Sequence, residues 1–485
     1  MSPKIGTSGL IFNEPLLWEK SREGRCGISI PTRDVPEVTM DAALINEGPD
    51  LPQVNELDVV RHYTRLSQWN FGVDSGMYPL GSCTMKYNPK TNEVQAARPG
   101  FTGAHPMVSQ ELSQGAMELM YNLERELAEI TGMDAVALQP AAGAHGELTG
   151  MLVIHAFHAK NGKQRSKIII PDTAHGTNPA SASLCGYKSI NIKSNENGIL
   201  TPEAVAAVMD EDTAGIMITN PNTLGLFEEN VKEIADIVHA RGGLVYGDGA
   251  NLNAIMGIVK LGKIGIDVVH FNMHKTFATP HGGGGPGSGP IAVVKKLEPF
   301  LPSPRIKKSD KGFSWVFDCP DTIGRMVTFH GHFGVMVKAY SYLRSMGPDG
   351  LKNASSYAVL NANYIKEKLR DTLELAYDRP CMHECVFSDK KQQAHHVSTL
   401  DMAKRLMDYG FHPPTVYFPL VVPGAIMIEP TETESKETID EFIAAFKAIA
   451  REAEENPDLV RSAPYTPKVK RLDEVSAARK PCLRG

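Results

Sequence analysis

The sequence predicts an α/β fold built around a mostly parallel β-sheet with helices on both faces. From residue 135 to residue 294, short apolar segments alternate with segments in which apolar residues recur at helical spacing. Glycine or polar residues follow the apolar segments, as is typical where strands end. Short apolar strands separated by amphipathic helices indicate a parallel sheet that is buried on both faces. A smaller α/β domain is expected after it.

The composition is that of an ordinary globular protein of 485 residues, long enough for a large core. A formal net charge of −6 gives no basic excess, so neither nucleic acid nor an anionic membrane is favoured as a partner. The seven cysteines are scattered and odd in number, which argues against a disulfide framework and for the cytoplasm. The N-terminal stretch lacks the apolar core of a signal peptide, and prolines interrupt the most apolar late segment, so no membrane span is predicted.

Three regions are predicted along the chain. Residues 1–100 form an N-terminal arm and packing segment, because residues 1–60 are rich in proline and glycine without a sustained period. Such an arm would pack on another surface, for example that of a partner subunit, although a disordered leader has the same composition. Residues 101–345 form the large domain, and residues 346–485 form the small C-terminal domain.

Helices are predicted where apolar residues keep spacings of three and four, and strands where short apolar runs end at glycine or polar residues. The helix before the sheet would begin at Ser109 as its N-cap and end near Gly132. Thr201 and Pro202 mark another helix start, because proline fits the first helical position. The remaining elements are helices over 57–69, from 145, near 179, over 228–240 and over 333–346, strands over 135–138, 168–170, 189–192, 215–219, 244–246, 268–271 and 291–294, and a basic loop over 305–311.

Polar side chains follow the strands, and two of them form a candidate reactive pair. Lys275 comes soon after the apolar segment Val268–Phe271, and Asp248 follows the apolar run that begins at Leu244. Ligands of parallel sheets bind at the carboxyl ends of the strands, so both side chains should project over one sheet edge. A structural ion pair and a surface lysine are the simpler interpretations. An aldehyde cofactor such as pyridoxal phosphate would also use this pair, because it needs a lysine and a carboxylate at its ring nitrogen.

Three further strand ends could complete such a site. Ala142, Gly143 and Ala144 open a predicted helix, where backbone N–H groups and the helix dipole favour a phosphate. A tight turn is the alternative there. His175 could stack on a cofactor ring or be an ordinary loop histidine, and Thr223 could donate to a ring hydroxyl or cap a turn.

Six long motifs connect these separate signals. They are YPLGSCTMKYNPK at 78–90, AAGAHGE at 141–147, DTAHGTNPASA at 172–182, GDGANLNA at 247–254, HKTFATPHGGGGPGSGP at 274–290 and IEPTETESKETID at 428–440. Together they resemble the glycine decarboxylase P-protein (glycine dehydrogenase, decarboxylating) of the glycine cleavage system, a fold type I pyridoxal phosphate enzyme. The resemblance covers nearly the whole chain. The P-protein also exists as two separate subunits, and a chain of this length with the lysine-bearing half resembles subunit 2 of that split form.

The resemblance implies a complete reaction. Glycine loses its carboxyl group as CO2 on pyridoxal 5'-phosphate, and its aminomethyl group passes to the lipoyl arm of the H-protein. By the same resemblance, Lys275 holds the cofactor as a covalent aldimine, Asp248 pairs with the ring nitrogen, His175 stacks on the ring, and no metal is involved. The implied partners are subunit 1, with two copies of each chain, and the lipoylated H-protein. The implied cofactor-binding set is Lys275, Asp248, His175, Ala142, Gly143, Ala144, Thr223 and His274.

Several alternatives stay open at the level of the sequence. Another fold type I enzyme, such as an aminotransferase or a stand-alone amino acid decarboxylase, would need similar cofactor residues, and a catalytically silent scaffold subunit is a third possibility. Residues 323–343 depart from the family pattern, which leaves the group that binds the glycine carboxylate unassigned. Arg325 is a candidate, although a surface ion pair would explain it as well. The CMHEC motif at 381–385 and the HGH motif at 330–332 lack the paired spacing of a structural zinc site.

The glycine run at 282–287 formally matches G-x-G-x-x-G, the fingerprint of a dinucleotide-binding loop. That fingerprint must lie between a strand and a helix, whereas here Pro286 and Pro290 lead the chain into a strand. We therefore expect the glycines to form a wall that approaches the cofactor closely.

Overall fold

The computed structural model describes residues 14–46 and 48–483. Two compact units are present, one ending at Ser75 and the other beginning at Gly76. Residues 76–100, which were predicted to belong to the N-terminal arm, lie in the second unit. None of the described helices is both long enough and apolar enough to cross a membrane.

The first unit contains two helices, α1 (Leu17–Lys20) and α2 (Glu56–Ser67). The predicted helix over 57–69 is confirmed by α2, whose N-cap Asn55 accepts a hydrogen bond from the Asp58 N–H at 2.8 Å. Between the two helices, the described chain has only one short 3₁₀ turn and is exposed throughout much of its length. Ile30 and Val38 there are 82% and 84% exposed, so this stretch presents apolar side chains to the surroundings.

The second unit is organised around a seven-stranded sheet, and the prediction of a mostly parallel sheet is confirmed. Its spatial order is β1-β7-β6-β5-β4-β2-β3, in which β2 to β6 run parallel to one another and β7 is antiparallel to both β1 and β6. The chain reaches β7 from β6 through a loop without a long crossover helix, which suits antiparallel pairing. The strands are β1 (Ala135–Ala137), β2 (Lys167–Pro171), β3 (Lys188–Ile192), β4 (Thr213–Thr219), β5 (Leu244–Gly249), β6 (Val268–Phe271) and β7 (Ile291–Val293).

Both faces of this sheet are buried, as the continuous apolar runs predict. On β4, Ile216 faces one apolar cluster and Met217 the other, and Val245 and Tyr246 divide in the same way on β5. Helices supply the covering side chains. The helices of this unit are α3 (Lys90–Ala96), α4 (Pro99–Thr102), α5 (Gln114–Thr131), α6 (Gly143–Lys160), α7 (Thr177–Leu184), α8 (Pro202–Ala206), α9 (Val231–Ala240), α10 (Met273–Thr276), α11 (Phe333–Leu369), α12 (Lys390–Gln393), α13 (Thr399–Asp408), α14 (Lys436–Glu455), α15 (Pro457–Arg461) and α16 (Glu474–Arg479).

Two predicted helix starts had different outcomes. Thr201 caps α8 as predicted, and its hydroxyl accepts from the Ala204 N–H at 3.3 Å. The start of α5 at Ser109 is wrong, because residues 109–112 form a separate turn closed by the Leu112 N–H on the Ser109 carbonyl. Leu112 is 78% exposed and does not belong to the buried stripe of α5.

The basic loop predicted over 305–311 is instead the first half of a β-hairpin. Strand β8 (Arg305–Ser309) pairs antiparallel with β9 (Gly312–Val316), and Asp310 and Lys311 form the turn. The lysines of this segment are charged, but they alternate in direction as residues of a strand do. Gly312, with φ of +102°, permits the return of the chain.

A second sheet lies in the C-terminal part of the same unit. It is antiparallel in the order β10-β11-β13-β12, with strands β10 (Glu374–Leu375), β11 (Cys385–Ser388), β12 (Thr415–Val416) and β13 (Ala425–Ile428). Helix α11 is longer than predicted and continues to Leu369, with a break at Gly347. The predicted boundary between residues 345 and 346 lies beside this break, and the division into a large and a small domain stays a prediction.

Glu124 of α5 offers a test of buried charge in this fold. The residue is 5% exposed, and burial raises its pKa to about 7 against the opposing effect of Arg305 and Arg125. The folded chain therefore keeps a proton that the unfolded chain loses near pH 4.5, so the free energy of unfolding should fall as pH rises from about 4.5 through 7. The side chain in Glu124→Gln stays neutral at every pH. The free energy of unfolding of this variant should therefore be higher than that of the wild type by about 1–3 kcal/mol at pH 8 and by little at pH 5.

Denaturant unfolding at the two pH values measures this difference. Glu118→Gln is the matched control, because Glu118 is an exposed residue of the same helix and its substitution should change the free energy of unfolding little. An equal change in both variants, or the same change at pH 5 and pH 8, would contradict the expected neutral state of Glu124.

Candidate active site

Lys275 lies on the single turn α10, directly after β6, at the carboxyl end of the parallel strands. The residue is 7% exposed, and within the described part of the chain its Nζ makes no hydrogen bond or ion pair. An unpaired buried ammonium is costly, by several kcal/mol. Its charge nevertheless acts on four buried carboxyl groups, those of Glu147, Asp248, Glu384 and Glu429. A buried amine surrounded by acids but bonded to none is well suited to covalent chemistry.

Asp248 lies inside β5, at the same sheet edge as Lys275. One carboxylate oxygen accepts from the Ala250 N–H at 2.9 Å and the other from the Asn178 amide at 3.1 Å. The strand register places Asp248 directly beside His270, whose Nε2 is 3.6 Å from Oδ1 of Asp248. Burial acts to raise the pKa of Asp248, but His270, His175 and Lys275 outweigh it and hold this pKa below its usual value. Asp248 is therefore ionised at neutral pH.

Glu147 is a second buried carboxyl group beside Asp248. The Asn178 side-chain amide that donates to Asp248 also donates to Glu147. Burial and then the Asp248 charge raise the pKa of Glu147 to about 8, although Thr177, Asn178 and Lys275 act in the opposite direction. Asn178 thus connects one ionised acid and one neutral acid.

The Ala142–Gly143–Ala144 turn adjoins this pair. Ala142 is the N-cap of α6 and Gly143 its first residue, so the backbone N–H groups of this first turn have no acceptors within the helix. A side chain at Gly143 would overlap the Asn272 amide, and one at Gly289 would overlap the Ala142 carbonyl. Glycine at position 289 lets the 282–290 loop pack by its backbone against the turn, and glycine at position 143 leaves room for Asn272.

The other predicted cofactor residues surround the same strand ends. His175 Nδ1 lies 2.7 Å from the Thr177 hydroxyl, and burial keeps the pKa of His175 below its usual value. Thr223 is buried, but its hydroxyl donates to the Thr173 carbonyl at 2.8 Å. While that bond is present, Thr223 can accept from a ring hydroxyl but cannot donate to it, contrary to the predicted role. His274 has a buried, unpaired Nδ1, and burial lowers its pKa to about 3.

A segment of the 78–90 motif lies beside the site and is held there by two glutamates from the C-terminal part of the unit. The Ser82 N–H donates to Glu384 at 2.7 Å, and the Thr84 N–H and hydroxyl donate to Glu429 at 3.0 and 2.5 Å. Ser82 and Thr84 have φ of +66° and +35°, an unfavourable region that external bonds must hold. Burial, and then Glu429, raises the pKa of Glu384 far above its usual value, and burial raises that of Glu429 to about 7. These acids hold a strained backbone beside Lys275.

Other candidates from the sequence are not brought into this constellation. Arg325 is exposed and donates to the Thr328 carbonyl at 3.4 Å, and neither a carboxylate partner nor an ion pair of Arg325 is found in the ranges 14–46 and 48–483. His330 is buried against the Trp315 ring, at 4.6 Å between ring centroids. Cys381 is a buried free thiol, and burial raises its pKa to about 12. His383 lies instead with Glu384 and Glu429, and their potential ligand atoms are within 4.8 Å of one another.

Sequence reasoning missed Asn178 and His270 and gave Glu147 no role. Asn178 is the last residue of the DTAHGTN motif, and the position of that motif directly after a strand is the signal that points to it. His270 stands in an apolar strand, where a histidine in the core is the ordinary interpretation. Its contact with Asp248 follows only from the register of β5 and β6.

Comparisons with known proteins identify the family of this chain. Residues 52–309 match the family described as Glycine cleavage system P-protein, and residues 354–463 match Glycine dehydrogenase, C-terminal domain. The chain is 58% identical to "Probable glycine dehydrogenase (decarboxylating) subunit 2" of Listeria monocytogenes serotype 4a over 97% of this chain and 98% of the relative. The chain belongs to the P-protein family. The protein of the same name from Bacillus licheniformis is 57% identical over 97% of this chain and 99% of its own length, so this P-protein has the split, two-subunit form.

Solved structures establish the fold of this P-protein as fold type I. A glycine decarboxylase P-protein of the glycine cleavage system, crystallised with an inhibitor, aligns with a TM-score of 0.72 at 19% identity and covers 84% of this chain and 93% of its own. A cysteine desulfurase from Thermococcus onnurineus NA1 aligns with a TM-score of 0.61 at 16% identity, over 78% and 95% of the two chains. The predicted fold type I architecture is confirmed.

Fold and family make this a pyridoxal phosphate-dependent P-protein, and the residues at the strand ends fit that cofactor. The cofactor has an aldehyde, a basic ring nitrogen and a phosphate, which call for an amine, an anion and hydrogen-bond donors. Lys275 supplies a buried amine without a partner among the described residues, Asp248 an ionised carboxylate, and the first turn of α6 a set of unused N–H groups. The three features lie along one edge of one sheet.

Proposed function

We propose that Lys275 is the residue to which this glycine-decarboxylating P-protein binds its cofactor covalently. The observation that carries the proposal is the burial of the Lys275 amine, without a bonded partner among the described residues, next to the ionised Asp248. A lysine attacks an aldehyde through its amine, and an amine that is bonded to no other group is available for that attack. The relatives do not favour an aminotransferase, a stand-alone decarboxylase or a silent scaffold subunit.

The surrounding residues would hold the rest of the cofactor. Asp248 would pair with the ring nitrogen and hold a proton there, because His270, His175 and Lys275 keep its own pKa low. His175 stacks on the ring face. The helix N-terminus at Ala142, Gly143 and Ala144 receives the phosphate, whose charge the helix dipole stabilises by about 0.3–1 kcal/mol. His274 lines the site beside Lys275, and Thr223 accepts a hydrogen bond from the ring hydroxyl.

The bound cofactor supplies an electron sink for the bond between the α-carbon and carboxyl group of glycine. The chain's own residues orient that bond and exclude water from it, because Lys275, Asp248 and Glu147 are all buried. By holding a proton at the ring nitrogen, Asp248 would keep that electron sink effective. The 282–290 loop, whose backbone contacts the phosphate turn, forms the wall past which the product's aminomethyl group leaves.

The name subunit 2 of the relatives implies a partner, subunit 1. We propose that two copies of each chain assemble, and that the lipoylated H-protein accepts the aminomethyl group in the cytoplasm. Exposed apolar residues between α1 and α2 support binding of a partner by this arm, since Ile28, Ile30 and Val38 have no cover within the described first unit. Six of the cysteines are free thiols, in keeping with a reducing compartment, namely Cys26, Cys83, Cys185, Cys319, Cys381 and Cys385.

Exchange of labelled bicarbonate into the carboxyl group of glycine tests this assignment. We expect the exchange to require the chain, subunit 1 and lipoylated H-protein together, and to fall to background when any one is omitted. Full-rate exchange by the chain alone would show that it is a stand-alone decarboxylase. A keto acid that converts the bound cofactor to its amine form would show an aminotransferase instead.

A further inference from the structure

A second buried lysine, Lys86, lies next to the turn that carries Lys275. Its side chain is 1% exposed, and it comes from the 78–90 motif, for which the cofactor chemistry provides no role. The Nζ atom donates to Asn253 Oδ1 at 2.6 Å and to the Thr276 carbonyl at 3.0 Å. Tyr342 Oη is a weaker contact at 3.5 Å.

The charge of Lys86 is balanced inside the protein. Glu432 Oε1 lies 2.6 Å from Nζ, so that Glu432, Asn253 and Thr276 together use the three donors of the ammonium. Asn253 in turn donates to the other oxygen of Glu432 at 3.2 Å. Burial acts to lower the pKa of Lys86, but Glu432 and Tyr342 outweigh it, so the net shift is upward and the side chain remains an ammonium. Lys86, Asn253 and Glu432 come from three separate motifs and meet around one charge.

The bond to Thr276 matters because α10 is a single turn. Its four residues, Met273–Thr276, are too few to be stable as an isolated helix, so contacts from outside must fix its direction. The Met273 N–H is bonded to the Ser288 carbonyl at 3.0 Å at one end of the turn. Lys86 holds the carbonyl at the other end, where a helix has unsatisfied acceptors and favours a cation.

We infer that Lys86 is a positioning residue for Lys275: its ammonium, held by Glu432 and Asn253, fixes the Thr276 carbonyl and with it the direction in which the Lys275 amine points. The inference rests on the proposed covalent role of Lys275. It adds a requirement that Lys275 alone does not explain, namely that the turn be anchored at both ends for the amine to reach the cofactor aldehyde.

The decisive variant is Lys86→Met combined with Glu432→Gln, which removes both charges and so leaves no lone buried ion. The cofactor-free chain, purified with its partner subunit, is mixed with pyridoxal 5'-phosphate, and the growth of the absorbance of the covalently bound cofactor is followed. We expect attachment about tenfold slower than in the wild type, because a hydrogen bond from a charged group is lost, and a shifted pKa in the pH titration of the bound cofactor's absorbance. The thermal midpoint of the cofactor-free protein should change much less.

Lys366→Met is the matched control, because Lys366 is likewise buried, at 9% exposed, and its nearest carboxylate, Asp378, lies 3.8 Å away. We expect it to attach the cofactor at the wild-type rate. Wild-type attachment and an unchanged titration in the double variant would overturn the inference, as would equal slowing in Lys366→Met.

Two further variants separate the possible failures. If the double variant does not fold, Lys86→Arg keeps the charge opposite Glu432 on a longer, planar head, and a shifted titration is again expected. An unchanged titration in folded Lys86→Arg would count against positioning. Borohydride reduction, which fixes the cofactor to its lysine, is run in parallel on Lys275→Ala. Cofactor fixed to the chain of that variant would refute the covalent role of Lys275 itself, independently of Lys86.

Discussion

Replacing Lys275 by alanine is expected to abolish glycine decarboxylation. The variant loses the amine to which the cofactor binds, so bicarbonate exchange in the presence of subunit 1 and H-protein should fall by about a thousandfold or more. The absorbance of the covalently bound cofactor should disappear as well. Because the Lys275 amine has no bonded partner among the described residues, its removal should leave the fold intact, and the cofactor-free variant should unfold near the wild-type temperature.

Lys263→Ala provides the control for loss of a lysine near the same strand. Lys263 is exposed and precedes β6, so exchange and absorbance should both stay at the wild-type level. Lys275→Arg is the informative companion, because arginine keeps the charge but cannot bind the aldehyde as lysine does. Retention of substantial exchange by Lys275→Ala, with the cofactor still fixed by borohydride, would place the covalent bond on another lysine.

Much of the large sheet could be predicted because its strands are local, apolar and separated by helices of regular period. The strand Val268–Phe271 was placed with its observed bounds, and the strand ends around Lys275 and Asp248 followed from the rule for parallel sheets. The failures have local causes. Ser109 has the chemistry of an N-cap, but the capping position belongs to Ser113, four residues later. The charge of the 305–311 segment predicts a loop, whereas its backbone pairs antiparallel with Gly312–Val316 after a turn at Asp310.

Long-range pairings in the site could not be predicted from sequence at all. Ser82 meets Glu384, and Lys86 meets Glu432, across some three hundred residues, and no local pattern marks such partners. The periodicity of a sequence predicts which residues lie at one edge of the sheet, but it does not predict which of those residues are bonded to each other. The charge state of a carboxyl group cannot be predicted from sequence either, because its pKa depends on burial and on neighbouring groups.

Asp248 and Glu147 are two neighbouring acids whose charge states differ. Both acids accept from the Asn178 amide, both are buried, and both stand near Lys275. Neighbouring histidines hold the pKa of Asp248 low in spite of its burial, whereas burial and Asp248 raise that of Glu147 to about 8. At neutral pH, Asp248→Asn removes a charge, whereas Glu147→Gln replaces one neutral group by another of the same shape.

We therefore expect the two substitutions to have very different effects. Asp248→Asn should lower kcat by about 10²- to 10⁴-fold, the range for loss of a group that controls a proton in the reaction, and should shift the pH titration of the bound cofactor. Glu147→Gln should change kcat less than about threefold at pH 7. Above pH 8, where Glu147 of the wild type ionises and the glutamine of the variant cannot, the two proteins should diverge. Equal losses in both variants at pH 7 would contradict a specific role for the charge of Asp248. A loss confined to Asp248→Asn would show that the charge itself acts on the cofactor.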